Sequence, residues 1–364
     1  MAASKLTMED VGEKAFLFDL LKKLPAHEGL ITGFGNDAGV LRVPDGNELV
    51  FFNTDRAAAP MAARKGWVDH RVWGRLAVTS SCSDILASGG APAAVMIAMV
   101  VPRDWPVEVA EQIVIGCSEE CVANRVVFAG GDTKEGMNAE LIGSSIGFGS
   151  SAGMLSRKGA RPGDSIVVAG KTGGFVGAYL QLVESYQGNG PTPREVDDWL
   201  SYVSHPKARW RECRKMREIG VATAAMDASD GLYDAISTLA GEYGADVDLE
   251  LIPYHEFALT CADRLGVPLF NLATGIADWN VVFVVDSERW STVSAAVLSD
   301  DLALVSVGRI SEEPGVRWHN DRGRVFSCRP ARNEHFAGRL EDEASFLDRI
   351  RFESQLVELG NQGG

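Results

Sequence analysis

Apolar residues fall along this chain in short, valine-rich runs, most of them closed by a glycine or carboxylate corner. Val40 to Val43 and Leu49 to Phe52 flank the turn Pro44-Asp45-Gly46-Asn47 and predict a hairpin over 38–54. Its far end should bring Thr54 and Asp55 to the side of Asp37. Val72, Leu76, Thr79, Ser83 and Leu86 keep helical spacing and predict a helix over 72–87, with another over 108–124. Strands are expected at 93–101, at 126–128 running into Gly130-Gly131-Asp132-Thr133, and at 141–148. A short amphipathic helix over 16–24 precedes them all. Farther on, strands are expected at 165–169, 246–251, 281–285 and 302–310. Phe346, Ile350, Phe352 and Leu356 read as one terminal amphipathic helix from Glu341 onward. This order gives an N-terminal α+β sheet domain over 1–155, a C-terminal α/β domain over 156–340 and a helical extension over 341–364.

One corner organises the rest. In Met226-Asp227-Ala228-Ser229-Asp230-Gly231-Leu232, three oxygen side chains crowd a strand-to-helix turn. Leu232, Ile236 and Leu239 share a helix face, Asp230 is placed to cap its start, and Gly231 lets the backbone turn. Alone, such a corner is as often a cap as a site. Similar carboxylate corners stand at Gly35 to Ala38, Asn53 to Asp55, Ser83 to Ile85 and Gly130 to Thr133. If several converge in a poorly solvated cleft, their repulsion calls for hard divalent cations.

The net charge of −15 argues against a nucleic-acid or anionic-membrane partner, though bound metal ions would reverse the local sign for an anionic substrate. Six cysteines without a CxxC pair, no apolar leader in residues 1–10 and no run of spanning length point to a cytoplasmic protein with reduced thiols.

The ordered set Gly33 to Ala38, Thr54-Asp55, Ser83 to Gly90, Gly130 to Thr133, Arg157 to Asp164 and Met226 to Leu232 resembles the PurM-like ATP-binding superfamily, and within it the thiamine-monophosphate kinases. The resemblance spans about 300 residues. It implies a two-domain fold whose N-terminal sheet closes a barrel with a partner subunit, a homodimer, with ATP and Mg2+ in the cleft between domains. Carried over position by position, Asp37, Thr54, Asp55, Asp84, Asp132, Asp227 and Asp230 would be metal ligands. Gly131, Asp132, Arg157 and Ser229 would meet the nucleotide, and Asp37, Asp132 and Asp227 would serve catalysis. Asp278 is a candidate general base or a mere helix cap. Phosphoryl transfer suits such a set, because it needs positioning and charge cancellation more than covalent chemistry. Gly170-Lys171-Thr172 lacks the upstream glycine of a P-loop.

The substrate half departs from the family. Where the family carries a substrate-contacting His, a Glu and an aromatic stacker, this chain has Ala62, Ala277 and Asn333. The expected activity is therefore an ATP-dependent small-molecule kinase acting on a different acceptor. An ATP-dependent ligase of the aminoimidazole-ribonucleotide synthetase type, a genuine thiamine-monophosphate kinase and a silent nucleotide-binding scaffold are the alternatives.

Overall fold

The computed structural model describes residues 7–11, 16–17, 19–20, 23–25, 29–32, 35–44, 46–186, 191–298, 301–329 and 343–359. The strands, in chain order, are β1 (Leu30–Thr32), β2 (Gly39–Arg42), β3 (Glu48–Ala57), β4 (Ala91–Val101), β5 (Val127–Glu135), β6 (Glu140–Ser150) and β7 (Ser165–Ala169). There follow β8 (Ala222–Asp227), β9 (Gly244–Asp248), β10 (Val281–Val285), β11 (Leu304–Ser311), β12 (Gly315–His319), β13 (Val325–Cys328) and β14 (Leu356–Glu358). They build two sheets, in the orders β1-β2-β3-β6-β4-β5 and β14-β13-β12-β9-β11-β7-β10-β8.

In the first sheet, side chains alternate between two very different faces, as strand geometry requires. Phe51, Ala57, Val95, Ile97, Met99 and Leu141 turn inward and are buried, most of them under the helices Arg71–Ala87 and Val107–Ala123. Phe52, Met96, Ile146 and Phe148 turn outward and are 40%, 52%, 39% and 47% exposed. The expected hairpin is present, with Gly39 opposite Phe52 and Arg42 opposite Leu49. Gly130 to Thr133, read from sequence as a corner, instead continues strand β5 alongside β4. That pairing carries a bulge, since Val95 faces Phe128 but Ile97 faces Gly131.

The second sheet owes its order to the strands β7 and β10, whose residues are buried throughout and sit side by side in the interior of the sheet. The helix Leu232–Ala240 packs with Trp318 on one face, while Trp210–Ile219 and Trp290 cover the other. The helix Arg71–Ala87 joins the two domains: Ala77, Val78 and Cys82 lie in the first core, Leu86 and Ala87 in the second.

The terminal segment differs from expectation. It is helical only over Glu343–Phe352; Leu356 opens a strand that pairs antiparallel with β13. Phe346, Leu347 and Ile350 are buried against Val176, Tyr179, Leu180 and Leu272. Asn271 donates to the carbonyls of Ile350 and Glu353, both at 2.7 Å, and Thr274 donates to Gln355. The extension is thus part of the second domain's core and sheet. None of the six cysteines is joined in a disulfide, and no described helix is long and apolar enough to cross a membrane. Of the expected helix over 16–24, the described residues 16–17 and 19–20 are helical and 23–24 lie in a turn; Gly33 and Phe34 lie outside the described residues.

Candidate active site

The first domain supplies Asp37 just ahead of β2 and Asp84 near the end of the helix Arg71–Ala87. The second supplies Asp227 as the last residue of β8. One carboxylate oxygen from each lies within 4.8 Å of the others. Three anions this close need neutralising. Arg157 provides part of it, with Nε at 2.9 Å from Asp37 Oδ1 and a second contact from the same guanidinium. Asn36 holds that arginine's backbone N–H at 3.2 Å.

Asn53, read from the sequence as part of a carboxylate corner but given no role of its own, ties the cluster together. Its Nδ2 donates to Asp84 at 2.6 Å and to the Asp37 carbonyl at 3.0 Å. Its Oδ1 is buried and, among the described residues, without a partner. Ser83 and Ser229 donate to opposite oxygens of Asp227 at 3.4 and 3.3 Å. The sequence signal for Asn53 was its place one residue ahead of Thr54-Asp55.

Even so the cluster is short of positive charge. Burial, and then the charges of Asp227, Asp37 and Asp55, hold the Asp84 carboxyl well above the ordinary range. Burial followed by the charge of Asp37 does the same to Asp227, against Arg157. Asp37 is also raised, because burial outweighs its arginine. The donor set of three carboxylates with an unpartnered amide oxygen beside it fits a hard, oxygen-seeking cation such as Mg2+.

The remaining sequence candidates divide by geometry. Asp55 lies on the inward face of β3 and adds to the charge felt by Asp84; Asp230 adds to that felt by Asp227. Thr54 and Asp132 lie elsewhere, on the open face of the first sheet. Thr54 pairs with Ser144, their hydroxyls 3.0 Å apart, and Asp132 stands opposite Ala98, 64% exposed beside Lys134. Gly131 sits at the β5 bulge, where a Cβ would come within 1.7 Å of the Ile97 carbonyl oxygen. Asp230 does not cap the following helix; that position falls to Gly231, at φ 99°, where a Cβ would meet the Thr274 carbonyl at 2.5 Å.

Asp278 is fully occupied as a cap. Its two oxygens accept the backbone N–H groups of Gly173 and Phe175 at the start of the helix Gly174–Ser185, and burial raises its carboxyl to about 6. Trp73 is buried and bonded to the Ala57 carbonyl, and Arg71 and Arg75 are both paired with Glu119.

With this geometry in view, the chain matches the model of the AIR synthase related protein N-terminal domain over residues 35–150 and of the corresponding C-terminal domain over 161–319. The chain belongs to the AIR synthase related family, the PurM-like proteins. Its relatives there are more particular. A thiamine-monophosphate kinase of Pyrococcus abyssi is 30% identical over 276 residues, 74% of this chain and 81% of the relative. Another, of Aquifex aeolicus, is 28% identical over 245 residues, covering 66% of this chain and 74% of its own length. The fold agrees with a solved structure of AaThiL complexed with AMPPCP and TMP, at a TM-score of 0.75 and 22% identity, over 92% of this chain and all of that one.

Proposed function

We propose that this ATP-dependent kinase works at the Asp37/Asp84/Asp227 cluster, with Mg2+ as its metal, and passes a phosphoryl group to a small molecule other than thiamine monophosphate. The observation that carries the first part is the convergence of three raised-pKa carboxylates from both domains on one point. Mg2+ held there would supply the positive charge that draws in and neutralises the phosphate oxygens. Asp37, Asp84 and Asp227 would hold the metal, with Asp55 and Asp230 at its margins. Arg157 and Ser229, already at the cluster, would orient the nucleotide. The six free thiols suit a cytoplasmic setting.

The second part rests on the acceptor side. Ala62, in place of the family's His, is buried with Ala178, Leu182 and Trp199. Ala277, in place of the family's Glu, offers only a methyl group. Each polar group of a substrate left buried without a partner costs about 1–3 kcal/mol, so the loss of such contacts weakens binding of that substrate. Thiamine monophosphate remains the second reading, favoured by the names of the relatives. Purified protein with ATP, Mg2+ and thiamine monophosphate should form little or no thiamine diphosphate, and robust formation would establish the second reading. ATP or AMPPCP should bind only with a divalent cation; full-strength binding in excess chelator would remove the metal from the scheme.

We also propose a homodimer through the open face of the first sheet, supported by the outward stripe of Phe52, Met96, Ile146 and Phe148. Thr54 and Asp132, on that same face, would then lie in the interface. Light scattering should give twice the mass of one chain, and Phe148→Asp should shift it to the monomer.

A further inference from the structure

Joined to the acidic cluster through Ser229 lies a cavity of about 250 Å³, lined by Lys171, Tyr202, Lys207, Arg209, His255 and Ala277 among others. It opens into an outer hollow of about 520 Å³ with which it shares Tyr202, His205, Lys207 and His255. The connection to the cluster is direct. Ser229, whose hydroxyl donates to Asp227, accepts the Ala277 backbone N–H on its carbonyl at 3.3 Å. Thr79, one turn before Ser83 on the joining helix, donates to the Pro206 carbonyl at 3.2 Å.

The cavity's charge runs against that of the chain. In a protein with a net charge of −15, its wall carries Lys171, Lys207 and Arg209. Among the described residues neither lysine has an ion-pair partner. Arg209 is spent on structure, donating to Asn280 Oδ1 at 2.9 Å and to the Asp278 carbonyl at 2.7 Å. Asp278, the acid of the inner wall, has both oxygens turned to backbone N–H groups. Asp198 and Glu256 stand only in the outer hollow. His255 adds a neutral donor: burial first, and then Lys171, Arg209 and Lys207 working against Glu256, hold its imidazole down at about 4. Because Nδ1 accepts the Phe257 N–H at 3.1 Å, the ring proton is on Nε2.

The wall is also rigidly held. Ala277 and Trp279 adopt left-handed φ angles of 71° and 52°, rare for residues with a side chain. Bonds to Ser229, Arg209 and Gly173 fix the loop there. Such strain persists only where the surroundings over-determine it, and it gathers at ligand clamps.

We propose that this cavity is the acceptor subsite, and that the acceptor carries a phosphate or carboxylate of its own, bound by Lys171, Lys207 and His255 and remote from the atom that is phosphorylated. This deepens the kinase reading and rests on it. A cationic heterocycle such as a thiazolium would be repelled by the charges of Lys171, Lys207 and Arg209, which agrees with the absence of an acidic side chain at position 277. An anionic group held here by two unpaired lysines gains charge-assisted bonds that a neutral analogue lacks.

The test uses the full chain and calorimetry. Glycerol 3-phosphate and glycerol are titrated in metal-free buffer, and AMPPCP is titrated separately with Mg2+. The wild type should bind the phosphate ester and not glycerol. Lys171→Gln with Lys207→Gln should weaken that binding by about tenfold or more, at unchanged AMPPCP affinity and unchanged melting temperature. No phosphate-ester binding by the wild type, or equal binding by the double variant, overturns the subsite. Parallel loss of AMPPCP would give the cavity to the nucleotide and overturn it as well. If wild type fails to bind AMPPCP with Mg2+ while the ester behaves as expected, the kinase reading falls and takes the acceptor assignment with it, leaving a bare anion site.

Discussion

Asp227→Asn should abolish Mg2+-dependent phosphoryl transfer and, at the same time, raise the melting temperature of the metal-free protein. The two effects share one cause. Asp227 is buried beside Asp37 and Asp84, and its carboxyl is held well above the ordinary range by burial and by their charge. A group whose folded pKa is raised gives full stability below its unfolded value, near 3.8, and loses it as pH rises through the folded value. At pH 8 the metal-free cluster is therefore under strain, and the neutral amide relieves it, its oxygen still accepting from one of the two serine hydroxyls while its NH2 donates to the other. The gain should be on the order of 1–3 kcal/mol, a few degrees in a chain of this size. Losing one metal ligand should cost several kcal/mol at the transition state, or roughly a thousandfold and more in rate. Thermal scans with and without Mg2+ at pH 6 and pH 8 check this. Mg2+ should stabilise the wild type more at pH 8 and the variant hardly at all; a variant that melts lower than wild type in chelator would contradict the cluster's strain.

The other large effect lies far from the chemistry. A chain lacking residues 343–359 should lose most of its stability. Phe346, Leu347 and Ile350 are each at most 8% exposed, and their burial contributes about 2 kcal/mol apiece. Their removal uncovers Val176, Tyr179 and Leu272 and takes away the bonds that Asn271 makes to Ile350 and Glu353 and Thr274 makes to Gln355, at roughly 0.5–1.5 kcal/mol for each bond lost. The sum approaches the whole stability of a typical domain, about 5–15 kcal/mol. Ile350→Asp is the milder form and should lower the melting temperature by many degrees. An unchanged melting temperature for the truncated chain would show that the segment merely rests on the surface.

Much of this architecture is legible in the residues. The interior strands β7 and β10 are uninterrupted apolar runs, and the helix joining the domains keeps its spacing from Val72 to Leu86. The strands β12, β13 and β14 escape such reading, being three to five residues long, with Arg317 and His319 engaged by Asp246 of the neighbouring strand. At the site, the corners around Asp37, Asp84 and Asp227 stand out because each carboxylate ends or precedes an apolar run. What the sequence does not disclose is parity. Asp55 faces the cluster and Thr54 does not, because adjacent strand residues point to opposite sides. Asp132 is sent to the open face by the bulge between Phe128 and Gly131, a single added residue that no spacing rule reveals. The role of Asn53 is missed for another reason: an amide matters here only through its neighbours in space.

The docking of the terminal segment sets an order of events on the growing chain. Gln355 accepts from Thr274 and Asn271 holds the helix end, just ahead of the loop in which Ala277 and Asp278 form the cavity wall. That segment leaves the ribosome after every other element of both described domains. The carboxylate cluster has all its residues in hand by Asp227, more than a hundred positions earlier. A nascent chain can therefore gather the three carboxylates of the cluster well before the wall of the cavity acquires its final support. If the cavity is the acceptor subsite proposed above, acceptor recognition would be the last property of the molecule to mature.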